Sequence, residues 1–381
     1  MPILQSAFGA YPLRRIPHDP THTLRAWDAA DEYLLAHLDE TRVEIESPLI
    51  LNDTFGALGI SLHRFDPLLV SDSIVSQLAL QVNLSEGPTM AQPRMLDSLS
   101  PLPKASLVII KQPKSAAYFD YQLQAINHYL PAGTPIIVAA MVKYLSRSFF
   151  SLMECHLDRV HTSLARKKAR LIFGTVKGDC EKPELIHRLD LPEYSLTLCN
   201  TPNVFAAGKI DIGSRFFLRN FPSLNKNGQQ VIDLGCGNGI LGIYALQQNP
   251  ELQVTFVDES WHAIHAARCS VTASLDNMAS SSKVDFRVNY CLQGFASSSV
   301  DAVLCNPPFH QQQSTGIQVA RQMFADSARV LRGSGTLYVI GNRHLNYHLE
   351  LKKYFRSVKL LASDRKFIML AASAPLKSKD H

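Results

Sequence analysis

The feature that most constrains the fold is the stretch at residues 231–242, which reads VIDLGCGNGILG. A short apolar run passes through Asp233, glycines follow at positions 235, 237 and 239, and residues 240–248 have the apolar spacing of a helix. The stretch predicts a strand, a glycine-rich turn and a helix. Glycines let a ligand approach the main chain closely, and a helix start offers free N–H groups. We therefore expect a nucleotide-like ligand at this turn.

A second acidic residue follows one strand-and-helix unit later. The apolar run at residues 254–257 ends at Asp258, 25 residues after Asp233. A carboxylate at the end of such a strand can accept hydrogen bonds from two ribose hydroxyls. The glycine turn has neither the GxGxxG order of dinucleotide-binding proteins nor the GxxxxGK[ST] order of phosphate loops, which disfavours NAD and ATP.

A third apolar run, at residues 301–305, stops at the tetrapeptide Asn306, Pro307, Pro308 and Phe309. The DLGCGNG turn resembles motif I of class I S-adenosylmethionine-dependent methyltransferases, and NPPF resembles the motif of those that methylate a planar exocyclic nitrogen. Such a nitrogen is a poor nucleophile and must be held in position. The side-chain oxygen of Asn306 and the carbonyl of Pro307 can each accept one of its N–H groups, and prolines add no competing donor. Phe309 can stack on the nucleobase that carries this nitrogen.

The resemblance also implies the cofactor site. The glycines of the turn are expected to line the methionine part of S-adenosylmethionine, and Asp258 is expected to hold the ribose. The usual acid near the adenine amino group is absent, so either Asn289 or Tyr290 occupies that position. The segment at residues 203–217 resembles the VFxxxxLDxGxxLL segment of ribosomal guanine-N2 methyltransferases, with an isoleucine at position 210. The candidate cofactor-binding residues are Phe205, Asp211, Asp233, Gly235, Cys236, Gly237, Asn238, Gly239, Asp258 and Asn289.

The first half of the chain repeats the pattern of the second in the same order, which predicts an internal duplication. Its counterpart of the glycine turn, LNDTFGALG, has lost two of the three glycines, and Lys111-Gln-Pro stands where Asn-Pro-Pro is expected. We predict that this half cannot bind the cofactor and instead helps to hold the substrate or to support its neighbour. The predicted equivalent pairs are Asn52 with Asp233, Asp72 with Asp258, Pro113 with Pro308, and Gly133 with Gly335.

Two fused halves of this kind, with NPPFH in the second, resemble the bacterial ribosomal RNA guanine-N2 methyltransferases. Segments at residues 24–35, 50–58 and 341–345 are similar to the large-subunit group, the ribosomal RNA large subunit methyltransferase G family. The implied fold is α/β, with two tandem class I (Rossmann-like) methyltransferase domains. Each is a mostly parallel sheet flanked by helices, and the first is degenerate. The predicted boundaries are residues 1–175, a linker at 176–200, and a catalytic domain at 201–381.

The resemblance implies methyl transfer from S-adenosylmethionine to the exocyclic N2 of a guanine in 23S ribosomal RNA. Three alternatives remain: a 16S ribosomal RNA guanine-N2 methyltransferase, a glutamine-modifying protein methyltransferase, and a non-catalytic RNA-binding module. No metal is expected. The substrate is expected to be protein-poor or free RNA, and the protein a monomer.

The net charge of the 381-residue chain is +5, a mild excess that favours a polyanionic partner without identifying one. A run of cations at residues 166–170 is either a solvated face or an RNA-binding surface. The candidate RNA-binding residues are Arg166, Lys167, Lys168, Arg170 and His310. We expect a cytoplasmic protein without membrane contact, because no apolar run has the length of a membrane span. The seven cysteines lack pair spacing and are expected to be reduced.

Overall fold

The computed structural model describes residues 2–17, 24–42, 45–85, 93–178, 180–204, 210–224, 228–275, 281–308 and 314–376. The chain divides into two compact units, Met1–Leu185 and Ile186–His381. The predicted site residues Phe205, Phe309 and His310 lie outside the described residues. No helix of the described ranges is long and apolar enough to cross a membrane.

The first unit consists of strands and helices that alternate in its central part. They are, in chain order, β1 (Ile3–Ser6), β2 (Gly9–Pro12), α1 (Ala29–Thr41), β3 (Leu49–Leu51), α2 (Ala57–Ser61), β4 (Leu68–Ser71), α3 (Ile74–Ser85), β5 (Arg94–Asp97), β6 (Val108–Lys111), α4 (Ala116–Tyr129), β7 (Pro135–Met141), α5 (Arg147–His156), β8 (Leu157–Thr162) and β9 (Ala169–Val176).

The second unit follows the same plan after an initial hairpin. Its elements are β10 (His187–Leu191), β11 (Leu196–Asn200), α6 (Ile212–Arg219), β12 (Gln230–Leu234), α7 (Ile240–Gln248), β13 (Gln253–Asp258), α8 (Trp261–Ser274), β14 (Val284–Val288), β15 (Val300–Cys305), α9 (Ser314–Val330), β16 (Leu331–Asn342), α10 (Tyr347–Leu351), β17 (Phe355–Ser363) and β18 (Phe367–Pro375).

Each unit contains one seven-stranded sheet, and the two sheets have the same topology. The strand order is β5-β4-β3-β6-β7-β9-β8 in the first unit and β14-β13-β12-β15-β16-β18-β17 in the second. The first five strands of each order are parallel, and the last two pair antiparallel. Parallel neighbours need crossover connections, which the helices supply. The predicted fold class, α/β with two tandem and mostly parallel sheets flanked by helices, is confirmed.

The central strands read as continuous apolar runs because both faces of a parallel sheet are covered. Val231, Ile232 and Leu234 of β12 are all buried, and so are Val303 and Leu304 of β15. This burial leaves polar chemistry to the residues that directly follow the strands. In the second unit those residues are the glycine turn after β12 and Asn306 after β15.

Strand register corrects three of the four predicted equivalent pairs. Leu51 of β3 pairs with Val70 of β4, as Leu234 of β12 pairs with Val257 of β13. Asn52, the next residue, therefore corresponds to Gly235 and not to Asp233. The main chain agrees, since φ is 66° at Asn52 and 70° at Gly235.

The same register makes Ser71, and not Asp72, the equivalent of Asp258. Ile136 of β7 pairs with Val108 as Leu337 of β16 pairs with Val303, so Gly133 corresponds to Ser334 and not to Gly335. The predicted equivalence of Pro113 and Pro308 is consistent with the register of β6 and β15. Lys111 therefore occupies the position of Asn306.

The segment predicted as a linker, residues 176–200, contains the antiparallel hairpin of β10 and β11. Leu191, Leu196 and Leu198 of this hairpin are buried in the core of the second unit. The polar start of the segment concealed this apolar alternation. The structure also joins Cys199 of β11 to Cys269 of α8 in a disulfide, so the prediction that all seven cysteines are reduced is wrong for this pair. The two positions are 70 residues apart, and their spacing carried no signal.

Candidate active site

The turn after β12 is held against the neighbouring strand by its own main chain. The amides of Gly235 and Cys236 both donate to the carbonyl of Val257, over 2.8 and 3.1 Å. The amide of Gly239 donates to the carbonyl of Cys236 over 2.8 Å. φ is 70° at Gly235, 55° at Gly237 and 83° at Gly239, a region that side chains disfavour. The three glycines are therefore required by the path of the chain.

The middle glycine of the turn faces open space, and its two neighbours do not. A Cβ added at Gly235 would lie 3.1 Å from Cε of Met323, and one at Gly239 would lie 3.1 Å from Cβ of Ala267. A Cβ at Gly237 would meet no atom within 4 Å. The turn is thus packed at both ends and open in its centre, where a ligand can approach the main chain.

Asp258 lies beside this opening at the end of β13. Its Oδ2 accepts the amide of Gly237 over 3.0 Å, and its Oδ1 accepts the amide of Ser260 over 3.0 Å. These bonds fix the carboxylate between the glycine turn and the start of α8. A carboxylate can accept more hydrogen bonds than these two, so the group suits the hydroxyls of a ribose.

Three other residues of the predicted cofactor set hold the turn from behind. Asp233 is buried, accepts the amide of Gly242 over 2.8 Å, and has its pKa raised to about 8 by burial. Asn238 donates from Nδ2 to Oδ1 of Asn200 over 2.9 Å. Cys236 is buried, and burial raises the pKa of its thiol. The thiol is therefore protonated, and nothing about it suggests a nucleophile.

The end of β14 carries the two candidates for the adenine position. The main-chain amide of Asn289 donates to the carbonyl of Asp258 over 2.8 Å, which brings this residue next to the ribose candidate. Its side-chain Nδ2 donates to the carbonyls of Cys291 and Gln293, over 3.1 and 3.0 Å. Only Oδ1 is left to accept a ligand N–H. Tyr290 is buried, and its hydroxyl has no hydrogen-bond partner among the described residues.

Asn306 follows β15 at the same edge of the sheet, and its amide is held in one orientation. Nδ2 donates to Oγ of Ser214 over 3.0 Å and lies 3.4 Å from Oδ2 of Asp211. An ionised carboxylate only accepts, so it fixes the NH2 end of the amide toward α6. Oδ1 is buried and has no hydrogen-bond partner among the described residues. A buried acceptor of this kind costs free energy unless a ligand fills it.

Ser214 is a site residue that the sequence analysis missed. Asp211 caps α6 by accepting the amides of Gly213 and Ser214, over 2.7 and 3.2 Å. This cap directs the buried hydroxyl of Ser214 toward Asn306. The segment DIGS has the form of a helix start, with an acidic cap two residues before a glycine. That signal was present, but only the fold reveals that this helix start faces the end of β15.

The two prolines after Asn306 differ in exposure, since Pro307 is buried and Pro308 is exposed. Pro307, the buried one, directly follows Asn306 in the chain. Within the described part of the chain, no group of three or more His, Cys, Asp and Glu residues could hold a metal ion.

The first unit has the same arrangement with its chemistry replaced. Asp28 caps α1 as Asp211 caps α6, and Asp31 occupies the position of Ser214. Nζ of Lys111 lies 2.7 Å from Oδ1 of Asp28 and 2.8 Å from Oδ1 of Asp31. Burial alone would lower the pKa of Lys111, but the two carboxylates raise it, so the lysine stays charged. The ion cluster of Lys111, Asp28 and Asp31 therefore occupies the position that the side-chain amide of Asn306 has in the second unit.

The counterpart of the glycine turn in the first unit is filled by side chains. Asn52 donates from Nδ2 to the carbonyl of Lys111 over 2.9 Å and exchanges two hydrogen bonds with the amide of Gln122, of 2.9 and 3.0 Å. Its equivalent, Gly235, has no side chain. Asp53 is buried and accepts the amides of Leu58 and Gly59, over 3.0 and 2.8 Å. The polar groups of this turn are therefore hydrogen-bonded within the first unit, whereas the equivalent turn of the second unit is open to a ligand.

Three candidate RNA-binding residues of the first unit, Arg166, Lys167 and Lys168, lie in the turn between β8 and β9, and Arg170 lies at the start of β9. Two of them form ion pairs with α1. Arg166 makes a two-pronged contact with Glu40, of 2.7 and 3.1 Å, and Lys167 lies 3.0 Å from Glu32. Lys168 is exposed and Arg170 is partly buried. That these residues contact RNA stays a prediction.

Comparison with known proteins gives two matches to family models. The RLMG N-terminal domain matches residues 1–178, and the methyltransferase small domain matches residues 195–371.

Several curated relatives match nearly the whole chain. The ribosomal RNA large subunit methyltransferase G of Pseudoalteromonas translucida is 41% identical over 95% of this chain and 96% of its own length. Its namesake in Aeromonas hydrophila is 42% identical over 97% of this chain and 98% of its own length.

Among solved structures, the T. thermophilus 16S rRNA N2 methyltransferase in complex with AdoMet and guanosine aligns with a TM-score of 0.76. It covers 98% of this chain and 97% of its own, at 18% identity. This likeness supports the fold of both units.

Proposed function

The chain belongs to the ribosomal RNA large subunit methyltransferase G family, and on that premise we propose that it methylates the exocyclic N2 of a guanine in 23S ribosomal RNA. The methyl donor is S-adenosylmethionine, whose sulfonium supplies an electrophilic methyl group and keeps the bonding electron pair when that group leaves. The single observation that carries the proposal is the buried Oδ1 of Asn306, which has no hydrogen-bond partner in the part of the chain that the structure describes.

The target nitrogen needs to be held in position because its lone pair is delocalised into the guanine ring. Oδ1 of Asn306 can accept one N–H of this amine, and the carbonyl of Pro307 can accept the other. Together they would turn the lone pair toward the donor methyl group. Orientation of this kind can contribute about 7–11 kcal/mol to catalysis. After transfer the nitrogen is cationic and loses its proton to water, so a strong base is not required.

The donor would be held by the open centre of the glycine turn and by Asp258. The carboxylate is the group suited to the ribose hydroxyls. For the adenine position we favour Asn289 over Tyr290. The adenine amino group is a donor, and Oδ1 of Asn289 is an acceptor that the loop leaves available. Asp233, Cys236 and Asn238 would act indirectly, by holding the turn in shape.

We propose that the first unit binds no S-adenosylmethionine and serves in substrate recognition or as a scaffold. The support is the ion cluster at Lys111 and the filled turn at Asn52. The acceptor and donor groups of the site all come from the second unit, which fits action as a monomer. Free or protein-poor RNA is the favoured substrate because a guanine must leave its stack to reach Asn306. A protein that acts on ribosomal RNA is expected in the cytoplasm.

The test is methylation of 23S and 16S RNA isolated from cells that lack this protein. Nucleoside mass spectrometry of the products should find N2-methylguanosine at one site in 23S RNA only. Incorporation into 16S RNA alone would favour the small-subunit alternative, and modified glutamine would favour a protein substrate. RNA binding without incorporation would favour a non-catalytic module.

Asn306→Ala should lose most of the activity while S-adenosylmethionine binding persists, because only the acceptor side is weakened. Asn249→Ala is the matched control. This asparagine is also in the second unit, but among the described residues its amide bonds only to the main chain, at Leu224 and Glu251. It should keep the parental turnover. Parental turnover in Asn306→Ala would contradict the assigned role.

A further inference from the structure

The turn between β17 and β18 lies at the same sheet edge as Asn306. β15 and β16 are parallel, and Cys305, the residue before Asn306, pairs with Val339. β18 is antiparallel to β16, and its first residue, Phe367, pairs with Asn342 at the end of β16. The turn at residues 364–366 thus stands two strand spacings from the line of β15, about 10 Å across the sheet.

Three exposed cations gather at this turn. The amide of Arg343 donates to the carbonyl of Lys366 over 3.0 Å, and its guanidinium donates to the carbonyl of Asp364 over 2.8 Å. Arg365 lies between them in the chain. Oδ1 of Asp364 accepts the amides of Lys366 and Phe367, so this carboxylate is directed at its own backbone. In the described ranges, no carboxylate lies within 4.0 Å of the charged groups of Arg343, Arg365 or Lys366.

Helix α6 packs on the start of β18 and carries a further cation. The ring of Phe216 on α6 stacks on Phe367, with 6.1 Å between centroids. Arg215, one residue after Ser214, has a side chain that is 43% exposed, and its guanidinium is 3.8 Å from Glu193. The distance is at the limit of an ion pair, so this arginine is only weakly compensated.

The duplicated unit provides an internal comparison. There the amide of Val142 donates to the carbonyl of Lys168 over 2.9 Å, just as that of Arg343 donates to Lys366. The turn of the first unit is as basic, but Glu40 and Glu32 of α1 neutralise its Arg166 and Lys167. Glu32 stands four residues after the cap of α1, and Arg215 stands four residues after the cap of α6. The position that carries a neutralising acid on α1 therefore carries a base on α6.

We propose that Arg343, Arg365 and Lys366 bind backbone phosphates of the substrate RNA next to the target guanine. The proposal rests on the proposed function, since it takes the nucleic acid from there. In the described ranges these cations have no carboxylate within 4.0 Å, and they lie at the edge where the guanine would enter the site. They are therefore suited to bind the phosphates on either side of a flipped nucleotide. We expect that the turn at residues 166–168 does not supply this contact, because its Arg166 and Lys167 are already paired with Glu40 and Glu32.

The test compares two charge-matched double variants, Arg365→Gln/Lys366→Gln in the second unit and Arg166→Gln/Lys167→Gln in the first. Binding of a 23S RNA fragment is measured by fluorescence anisotropy between 0.05 and about 0.3 M salt. For single-stranded RNA, each lost phosphate contact lowers the slope of log K against log salt by about 0.7. The second-unit variant should therefore lose about 1.4 in slope, and about tenfold in affinity at 0.15 M salt. The first-unit variant should stay within about twofold of the parent.

Kinetics and stability separate this surface from the catalytic groups. The second-unit variant should raise KM for RNA and keep kcat at saturating RNA, with S-adenosylmethionine binding and melting temperature unchanged. A parental slope in this variant, or an equal loss in the first-unit variant, would overturn the proposal. Failure of the parent protein to methylate guanine N2 would instead refute the proposed function, whatever the slopes are.

Discussion

Replacing Ser214 with alanine tests how the acceptor amide is held. The substitution removes the hydroxyl that accepts Nδ2 of Asn306 over 3.0 Å and leaves only the 3.4 Å contact with Asp211. A buried donor that loses its partner costs about 1–3 kcal/mol. Because the Asp211 contact remains, we expect a loss of about 1–2 kcal/mol in the transition state. That energy corresponds to about a 5- to 30-fold fall in kcat.

The assay for Ser214→Ala is transfer of labelled methyl groups to RNA that lacks the modification, at saturating RNA and donor. The dissociation constant of S-adenosylmethionine should be unchanged, since Ser214 serves the acceptor side. The matched control is Ser270→Ala, which also removes a buried hydroxyl from the second unit. Within the described ranges that hydroxyl bonds only to the main chain of Cys199, so its loss should lower stability and spare kcat. Parental kcat in Ser214→Ala, or an equal fall in both variants, would refute the reasoning.

Three further substitutions test the remaining parts of the account. Gly237→Ala should weaken S-adenosylmethionine binding at least tenfold, as titration calorimetry can show. Gly228→Ala is the control, because Gly228 has a similar φ and equally open space around it. The control should lower stability by the same amount and leave S-adenosylmethionine binding unchanged. The pKa of Asp233 is raised to about 8, so its stabilising contribution is present below about pH 4 and is lost as pH rises to 8. Asp233→Asn should remove that decline from the unfolding free energy, and an unchanged pH profile would contradict the assigned burial. Lys111→Met leaves two carboxylates without their cation and should destabilise the first unit by about 3–5 kcal/mol in denaturant unfolding, while S-adenosylmethionine binding stays parental.

The sequence predicted what local pattern determines. The strand, glycine turn and helix at residues 230–248 follow from apolar spacing and three glycines, and the structure has them there. The end of β15 at Cys305 follows from the prolines that cannot continue a parallel strand. The repetition of such patterns predicted that the two halves carry the same succession of elements along the chain.

The sequence did not predict what depends on distant contacts. The ion pairs of Arg166 with Glu40 and of Lys167 with Glu32 join residues 126 and 135 positions apart. The contact of Ser214 with Asn306 spans 92 positions. The equivalence of Asn52 and Gly235 could be recognised only from strand register, because a positive φ cannot be read from the residue type alone.

The central claim is that the side-chain oxygen of Asn306 accepts an N–H of the target amine. The most direct measurement is a crystal structure of the protein with S-adenosylhomocysteine and guanosine. The account predicts Oδ1 of Asn306 within about 3.2 Å of guanine N2, while Nδ2 still donates to Ser214. Guanosine bound with N2 away from Asn306, or Oδ1 still without a partner, would contradict it.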